Sequence, residues 1–562
     1  MGISNNTETE ETTHQQEVTK KKGGLRTLPF IIANETFEKV ASFGLLANMM
    51  VYLLDQYHFK VTTGVSILFL WTALSNFTPI VGAFLSDSFF GNDRIAVNGN
   101  TSICKASLLS QTARPNCATP NMNQRLLLYF SFFLMSIGAG GIRPCSMAFG
   151  ADQVNRPENP NNERVLQIFF NWYYASVGIS LMVAVTLIVY IQDKVGWVPG
   201  FGVPVGLMLF STVMFFLGSS LYVKVKGNKN LFSGIAHVVA ASWKNRHLSM
   251  PPNNSDGWFL NKACIIKSPS KDITPEGLAT DPWSLCTVRQ VEELKALIKV
   301  LPIWSAGIII AAAINQHSIS LTQARAMNKH LTPHFEIQPG SFTVFSLLAL
   351  TLWVAIYDRA IVPLMSRHFT NRPNGLSFKE RMGIGLVISC LATSVAAIVE
   401  QKRREKAVMH GEIMSAMWLI PQYSLGGLAE AFNAIGQIEF YYSQLPKSLA
   451  SIAVALFTLG MGFGNLVGAL LVKIVDDSST KGGRLSWLDD DLNKGRYDYY
   501  YWLLTLLGFF NFLYYCLCSW GYGSCEERSM WDEEVNGVEK GKENIDDQDL
   551  PKSKESSIVF AT

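Results

Sequence analysis

The sequence predicts an all-α protein that crosses a membrane many times. Charged residues make up only 16% of its 562 residues, where about 25% is usual for soluble chains. Apolar residues reach 48% and aromatics 12%, and apolar stretches of spanning length recur from end to end. Mean hydropathy is +0.18 although both ends are polar, so the middle is more apolar than the mean. A disordered chain is excluded, because so apolar a composition collapses. A net charge of +3 and a pI of about 8.2 make no case for nucleic acid as a partner. The nine cysteines show no metal-ligand spacing, and no secreted disulfide framework is expected.

Residues 1–28 are polar and carry Lys20, Lys21, Lys22 and Arg26 ahead of the first apolar run. They read as a disordered cytoplasmic N-terminus, and no cleaved signal peptide is expected. A spanning helix needs about 20 apolar residues. Candidate spans then fall near 29–54, 64–90, 125–150, 165–191, 198–223, 292–316, 341–365, 382–400, 414–441, 449–474 and 498–520. They form an N-terminal lobe over 29–223 and a C-terminal lobe over 292–520, joined by a basic cytoplasmic linker over 224–291. The charged stretch 521–562 reads as a disordered cytoplasmic tail. Lys and Arg near the span ends place the N-terminus and the linker in the cytoplasm. The cluster Lys402, Arg403, Arg404 and Lys406 votes the other way and ranks below the N-terminal signal.

The first span holds Glu35, Glu38 and Lys39. Each ionisable group at mid-membrane costs about 2.5–3.5 kcal/mol on insertion scales, so three together need a reason. Their i+3 and i+4 spacing puts them on one helix face as a partly neutralised cluster. Two carboxylates beside one ammonium leave one carboxylate able to exchange a proton. In the 125–150 span, Gly138, Gly140, Gly141 and Pro144 surround Arg143, which suits an anion or a carboxylate. Its expected partner is Glu430 in the C-terminal lobe, as a pair that either breaks during a transport cycle or simply fixes the packing. Asn315, Gln316 and His317 form a polar tip that serves either substrate contact or the interface. The aromatic run Phe169–Tyr174, Tyr174 included, lines a cavity or forms an interfacial belt. Gly82, Asp87, Gly91 and Arg94 are candidates for a short gating loop after the second span.

Taken together, Glu35-x-x-Glu38-Lys39, the Gly82…Asp87…Gly91 loop, GAGGIRPC (138–145), AFGADQ (148–153), FFNWYY (169–174), LPIW (301–304) and GLAEAFNAIGQIEF (427–440) resemble the plant nitrate/peptide transporter family. That family is a branch of the proton-dependent oligopeptide transporters in the major facilitator superfamily. The resemblance runs from about residue 25 to 525 and is strongest to the subfamily with low-affinity nitrate transporters. It implies twelve helices in two six-helix lobes and proton-driven alternating access. It also implies that Glu35, Glu38 and Lys39 are the proton-coupling motif, that Arg143 is the functional basic residue and that Glu430 is its acidic partner. At the position of the family's nitrate-binding His stands Ile314, with His317 three residues on. A second departure is larger. The stretch from Gly91 to Ala113 is too short and too polar for the family's third helix, which leaves about eleven spans, through either a misread exon in the gene model or the loss of a helix from the N-terminal lobe.

The expected activity is therefore symport of nitrate or a small organic anion with protons, without a cofactor. A peptide or a carboxylated plant hormone such as gibberellin or abscisic acid is the alternative substrate. A transport-inactive sensor or paralogue is the alternative class. A membrane enzyme is disfavoured, since no nucleophile–base set, metal spacing or phosphate loop is visible. Protons, a small anion and the bilayer are the expected partners, with kinases as candidates for the tails. The plasma membrane is the expected location and the vacuolar membrane the alternative.

Overall fold

The computed structural model describes residues 23–24, 26–85, 121–154, 162–223, 231–249, 258–268, 272–274, 279–333, 335–368, 375–446 and 449–523. Nearly all of them are helical. Among the described residues, nine helical stretches are long and apolar enough to cross a membrane, and a bent pair makes a tenth. The bent pair is α1 (Leu28–Ala47) and α2 (Met49–Asp55), which meet at 40° across Asn48. Then come α3 (Val61–Leu85), α4 (Met122–Val154), α5 (Asn162–Val183) and α6 (Trp197–Leu217). Two wider π-type turns, Ala184–Ile188 and Ile191–Val195, prolong α5 until Gly196 ends it at φ 120°, a backbone state that suits glycine.

The linker is less plain than its composition suggests, because it contains α7 (Leu231–Lys244). The second half holds α8 (Val288–Ile314), α9 (His317–Arg325), α10 (Thr343–Ile356), α11 (Val362–His368), α12 (Phe378–Glu405), α13 (Ile420–Gln444), α14 (Ala450–Ser479) and α15 (Tyr497–Tyr522). A small antiparallel hairpin, β1 (His330–Thr332) and β2 (Phe335–Glu336), lies between α9 and α10 and pairs His330 with Glu336. Helix α12 starts with a capping box: Ser377 accepts from the Glu380 amide, and the Glu380 carboxylate accepts from the Ser377 amide.

The span read from sequence at 414–441 needs correction. Its helix, α13, begins at Ile420 after a short 3-10 turn at Ala416–Leu419. It is absent from the apolar spans because Gln422, Glu430, Asn433, Gln437 and Glu439 interrupt its hydrophobic run. Such a helix is expected to face protein or water rather than lipid. The charge cluster at the end of α12 also differs from its sequence reading. Arg403 is buried, with two nitrogens on the two Glu400 oxygens at 2.8 Å each and a third on Asn493 Oδ1 at 2.9 Å.

The chain forms two compact units. One comprises residues 1–227, 307–434 and 458–513, and the other 228–306, 435–457 and 514–562. In the first, α1 packs on α5 and α6, and α3 packs on α4. Its largest apolar core gathers Met50, Leu53, Val65, Phe69, Val472 and Tyr500. In the second, Val238, Ala241, Cys264, Cys286 and Leu294 form a small core beneath α7. The buried Asn245 amide ties that core together by donating to the carbonyls of Lys262 and Ser284.

Candidate functional site

Helix α1 carries the cluster on its buried face. Glu35 and Glu38 are fully buried, and Lys39 lies between them. Lys39 Nζ stands 2.9 Å from Glu35 Oε1 and 2.7 Å from Glu38 Oε2. Burial would make any of these charges costly alone; as a set they satisfy one another. Ser42, one turn beyond Glu38, donates to Glu38 Oε1 at 2.7 Å. Neighbouring helices hold α1 in this orientation. Ser211 of α6 donates to the Asn34 side-chain oxygen at 2.7 Å, and Phe37 packs edge-on against Phe210 at 5.0 Å.

The third partner of the cluster comes from α5. Tyr173 donates its hydroxyl to Glu35 Oε1 at 2.7 Å, and Ser146 of α4 lies 3.2 Å from the same hydroxyl. Glu35 thus receives two donors on one oxygen, whereas its other oxygen, Oε2, is buried and has no hydrogen-bond partner among the described residues. The sequence reading named Tyr174, yet that ring is 59% exposed and lies edge-on to Tyr173. The aromatic run flagged the right neighbourhood. One step along a helix is a rotation of about 100°, and that step separates the two roles.

Among the described residues, none of the other sequence candidates bonds to this cluster. Gln316 is buried in the break between α8 and α9; its amide donates to Ala312 O, and its oxygen accepts from Tyr500 at 3.0 Å. That is a packing role for Gln316. Asn315 beside it has a buried amide nitrogen with no partner among the described residues, and Ile314 is half-buried. Glu430 is half-buried on α13 and forms no ion pair among the described residues. The side chain of Arg143 lies outside what the structure describes, so its pairing with Glu430 is neither present nor refuted; His317's side chain lies outside as well. Gly82 belongs to α3, but Asp87, Gly91, Arg94 and the whole stretch 86–120, including the region read as a lost third helix, lie outside the described residues.

Away from the cluster, the first unit is closed by polar contacts between helix ends that are distant in sequence. Arg325 Nη2 meets Asp55 Oδ1 at 2.5 Å. Glu336 in the hairpin receives Lys329 at 2.8 Å and Lys194 at 3.0 Å. Asp490 caps the start of α3 by accepting from the Val61 amide at 2.7 Å. Sequence reading missed these contacts, because no local pattern links the partners.

A buried acid–acid–base cluster inside a bundle of apolar spans defines a multi-spanning α-helical membrane transporter, and comparison with known proteins makes the class specific. The model of the POT family matches residues 95–488. Protein NRT1/PTR FAMILY 1.2 of Arabidopsis thaliana is 46% identical over 94% of this chain and 94% of its own. Protein NRT1/PTR FAMILY 1.1 of the same plant is 46% identical over 96% and 98%. The chain belongs to the POT family, in its plant NRT1/PTR branch. Among solved structures, the POT family transporter PepTSo superposes with a TM-score of 0.68 at 18% identity, covering 88% of this chain and 98% of that one. An auto-inhibited POT family peptide transporter does so with a TM-score of 0.67 at 21% identity, covering 88% and 96%.

The alignment with the 1.2 relative runs over 572 positions, more than the chain's own length, although 94% of the chain takes part. That relative therefore carries residues with no counterpart here.

Proposed function

We propose that the chain is a proton-coupled symporter that moves nitrate or a small organic anion by alternating access between two lobes. One observation supports this reading above the others: two buried carboxylates share one ammonium on α1. Such an arrangement has no structural need for its second acid, and a single proton neutralises it. In this reading Arg143 attracts the anion and pairs with Glu430 in one stroke of the cycle. The gradient of protons supplies the energy, and no cofactor takes part. The plasma membrane is the proposed location.

Uptake of labelled nitrate into oocytes or proteoliposomes tests the reading. It should rise as the medium is acidified from neutral, and replacing both acids, Glu35→Gln together with Glu38→Gln, should abolish that rise. Uptake that ignores pH and survives the double substitution would sink it. Competition by unlabelled peptide, gibberellin or abscisic acid separates the substrate classes, since only a true substrate displaces nitrate.

A second reading has its own support. The stretch from Gly91 to Ala113, too short and too polar for the family's third helix, favours a binding or sensing protein that does not transport. Ligand binding without accumulation in sealed vesicles distinguishes it from a symporter.

A further inference from the structure

The two carboxylates on α1 are not equivalent, and the difference comes from another helix. Glu38 has both oxygens occupied, Oε1 by the Ser42 hydroxyl and Oε2 by Lys39. That is the environment of a carboxylate that stays ionised, because adding a proton there displaces a donor. Glu35 differs. Tyr173 and Lys39 both converge on its Oε1, and Oε2 is buried and bare. A proton can settle on Oε2 without breaking any bond, and it removes the cost of an unsolvated, unpartnered anionic oxygen.

We propose that Glu35, and not Glu38, is the carboxyl that takes the proton, and that Tyr173 is the positioning residue that pins Glu35 Oε1 and sets how readily it does so. Its hydroxyl hydrogen is committed to Glu35, so Ser146 is the donor in the 3.2 Å contact between the two hydroxyls. Ser146 thereby polarises Tyr173 and orients it. The pair pins Oε1, and among the described residues no donor reaches Oε2. The inference deepens the proton-coupling reading and rests on it.

Among the described residues, few other charges surround Glu35. Lys39 and Glu38 come from its own helix. The two elements packed most broadly on α1 are α6 and α5, and α6 carries no titratable residue. The π-type turn Ala184–Ile188 carries none either. Helix α5 brings Tyr173, with Tyr174 turned out to an exposed position, and has Glu163 and Arg164 in its first turn. Helix α2 brings Tyr52 and Asp55, and the latter is bound to Arg325. From α4, Arg143 and Cys145 have side chains outside the described residues, and among the described residues no ion pair joins Asp152, Arg125 or Tyr129 to Glu35.

A carboxyl-selective carbodiimide tests this on the full-length protein in liposomes, because dicyclohexylcarbodiimide modifies protonated carboxyls within membranes and mass spectrometry locates the adduct. Wild-type protein should be labelled at Glu35 and spared at Glu38, with labelling that rises as pH falls. In Tyr173→Phe, Glu35 loses one of the two donors on its Oε1, so the labelling midpoint should move upward. Ser146→Ala should move it the same way by less, which provides a second variant if the first folds poorly. Labelling on Glu38, equal labelling of both acids, or an unchanged midpoint in both variants overturns the inference. Labelling does not require uptake. Glu35 labelling with a Tyr173-dependent midpoint beside pH-independent uptake would therefore defeat the symport reading and leave this one standing.

Discussion

Arg325 at the end of α9 reaches back 270 residues to Asp55 at the end of α2, guanidinium to carboxylate at 2.5 Å. Both side chains are about a third exposed, at 32% and 40%. Water and ions screen such a pair, and exposed pairs contribute on the order of 0.2–1 kcal/mol. In a double-mutant cycle with Arg325→Gln and Asp55→Asn, the coupling energy from thermal unfolding in detergent should stay below about 1 kcal/mol. A larger coupling would mean that the seam is drier than its exposure suggests.

The pair Glu400–Arg403 should behave in the opposite way. Both side chains are buried, and Asn493 and the Leu492 carbonyl complete the guanidinium's bonding. Removing one member strands the other charge. Arg403→Met or Glu400→Gln alone should cost about 3–5 kcal/mol, read as a large loss of folded protein on size exclusion. The double substitution should recover part of that loss, because no naked charge remains.

Two adjacent glycines on α13 make a sharper comparison. A Cβ on Gly427 would press into the Ser346 backbone, 2.6 Å from its carbonyl carbon and 2.7 Å from its Cα, whereas a Cβ on Gly426 would meet nothing within 4 Å. Backbone cannot step aside as a flexible side chain can. Gly427→Ala should therefore cost about 1–3 kcal/mol, and Gly426→Ala should be neutral or slightly stabilising. Melting temperatures of the two variants check this directly, and equal values would contradict the packing of α13 on α10.

Glu336 sets a pH dependence with a definite sign. Hydrogen bonds from Lys329 and Lys194 hold its carboxyl down at about 2, against an ordinary value of 4.5. A carboxyl depressed in the folded state stabilises the fold at every pH above its unfolded value. That contribution is lost as pH falls from about 4.5 toward about 2. Wild type should thus unfold at a higher temperature than Glu336→Gln at neutral pH, and the two curves should converge as the medium is acidified through that window. A constant gap down to the acid end would show that Glu336 matters through packing and not through its charge.

Local arithmetic reached a good part of this molecule. Apolar run length located the spans, since a bilayer of fixed thickness imposes its length on any helix that crosses it. The i+3 and i+4 spacing put Glu35, Glu38 and Lys39 on one face, since a helix repeats every 3.6 residues wherever it is packed. The length of α13 was legible too, although the polar residues that remove it from the lipid-facing set were counted as part of an ordinary span.

What the sequence by itself determined, then, is whatever depends on neighbours within a few residues: the all-α membrane-spanning class, the approximate ends of the helices and the composition of the charged cluster. Tertiary structure alone decided which of two adjacent tyrosines meets that cluster. Tyr173 and Glu35 are 138 residues apart, and only the packing of α5 on α1 determines which ring turns inward. The same holds for Asp55 with Arg325 and for the hairpin's Glu336 between two lysines. No short-range pattern encodes those meetings, because each is fixed by how whole helices pack and not by the residues beside it.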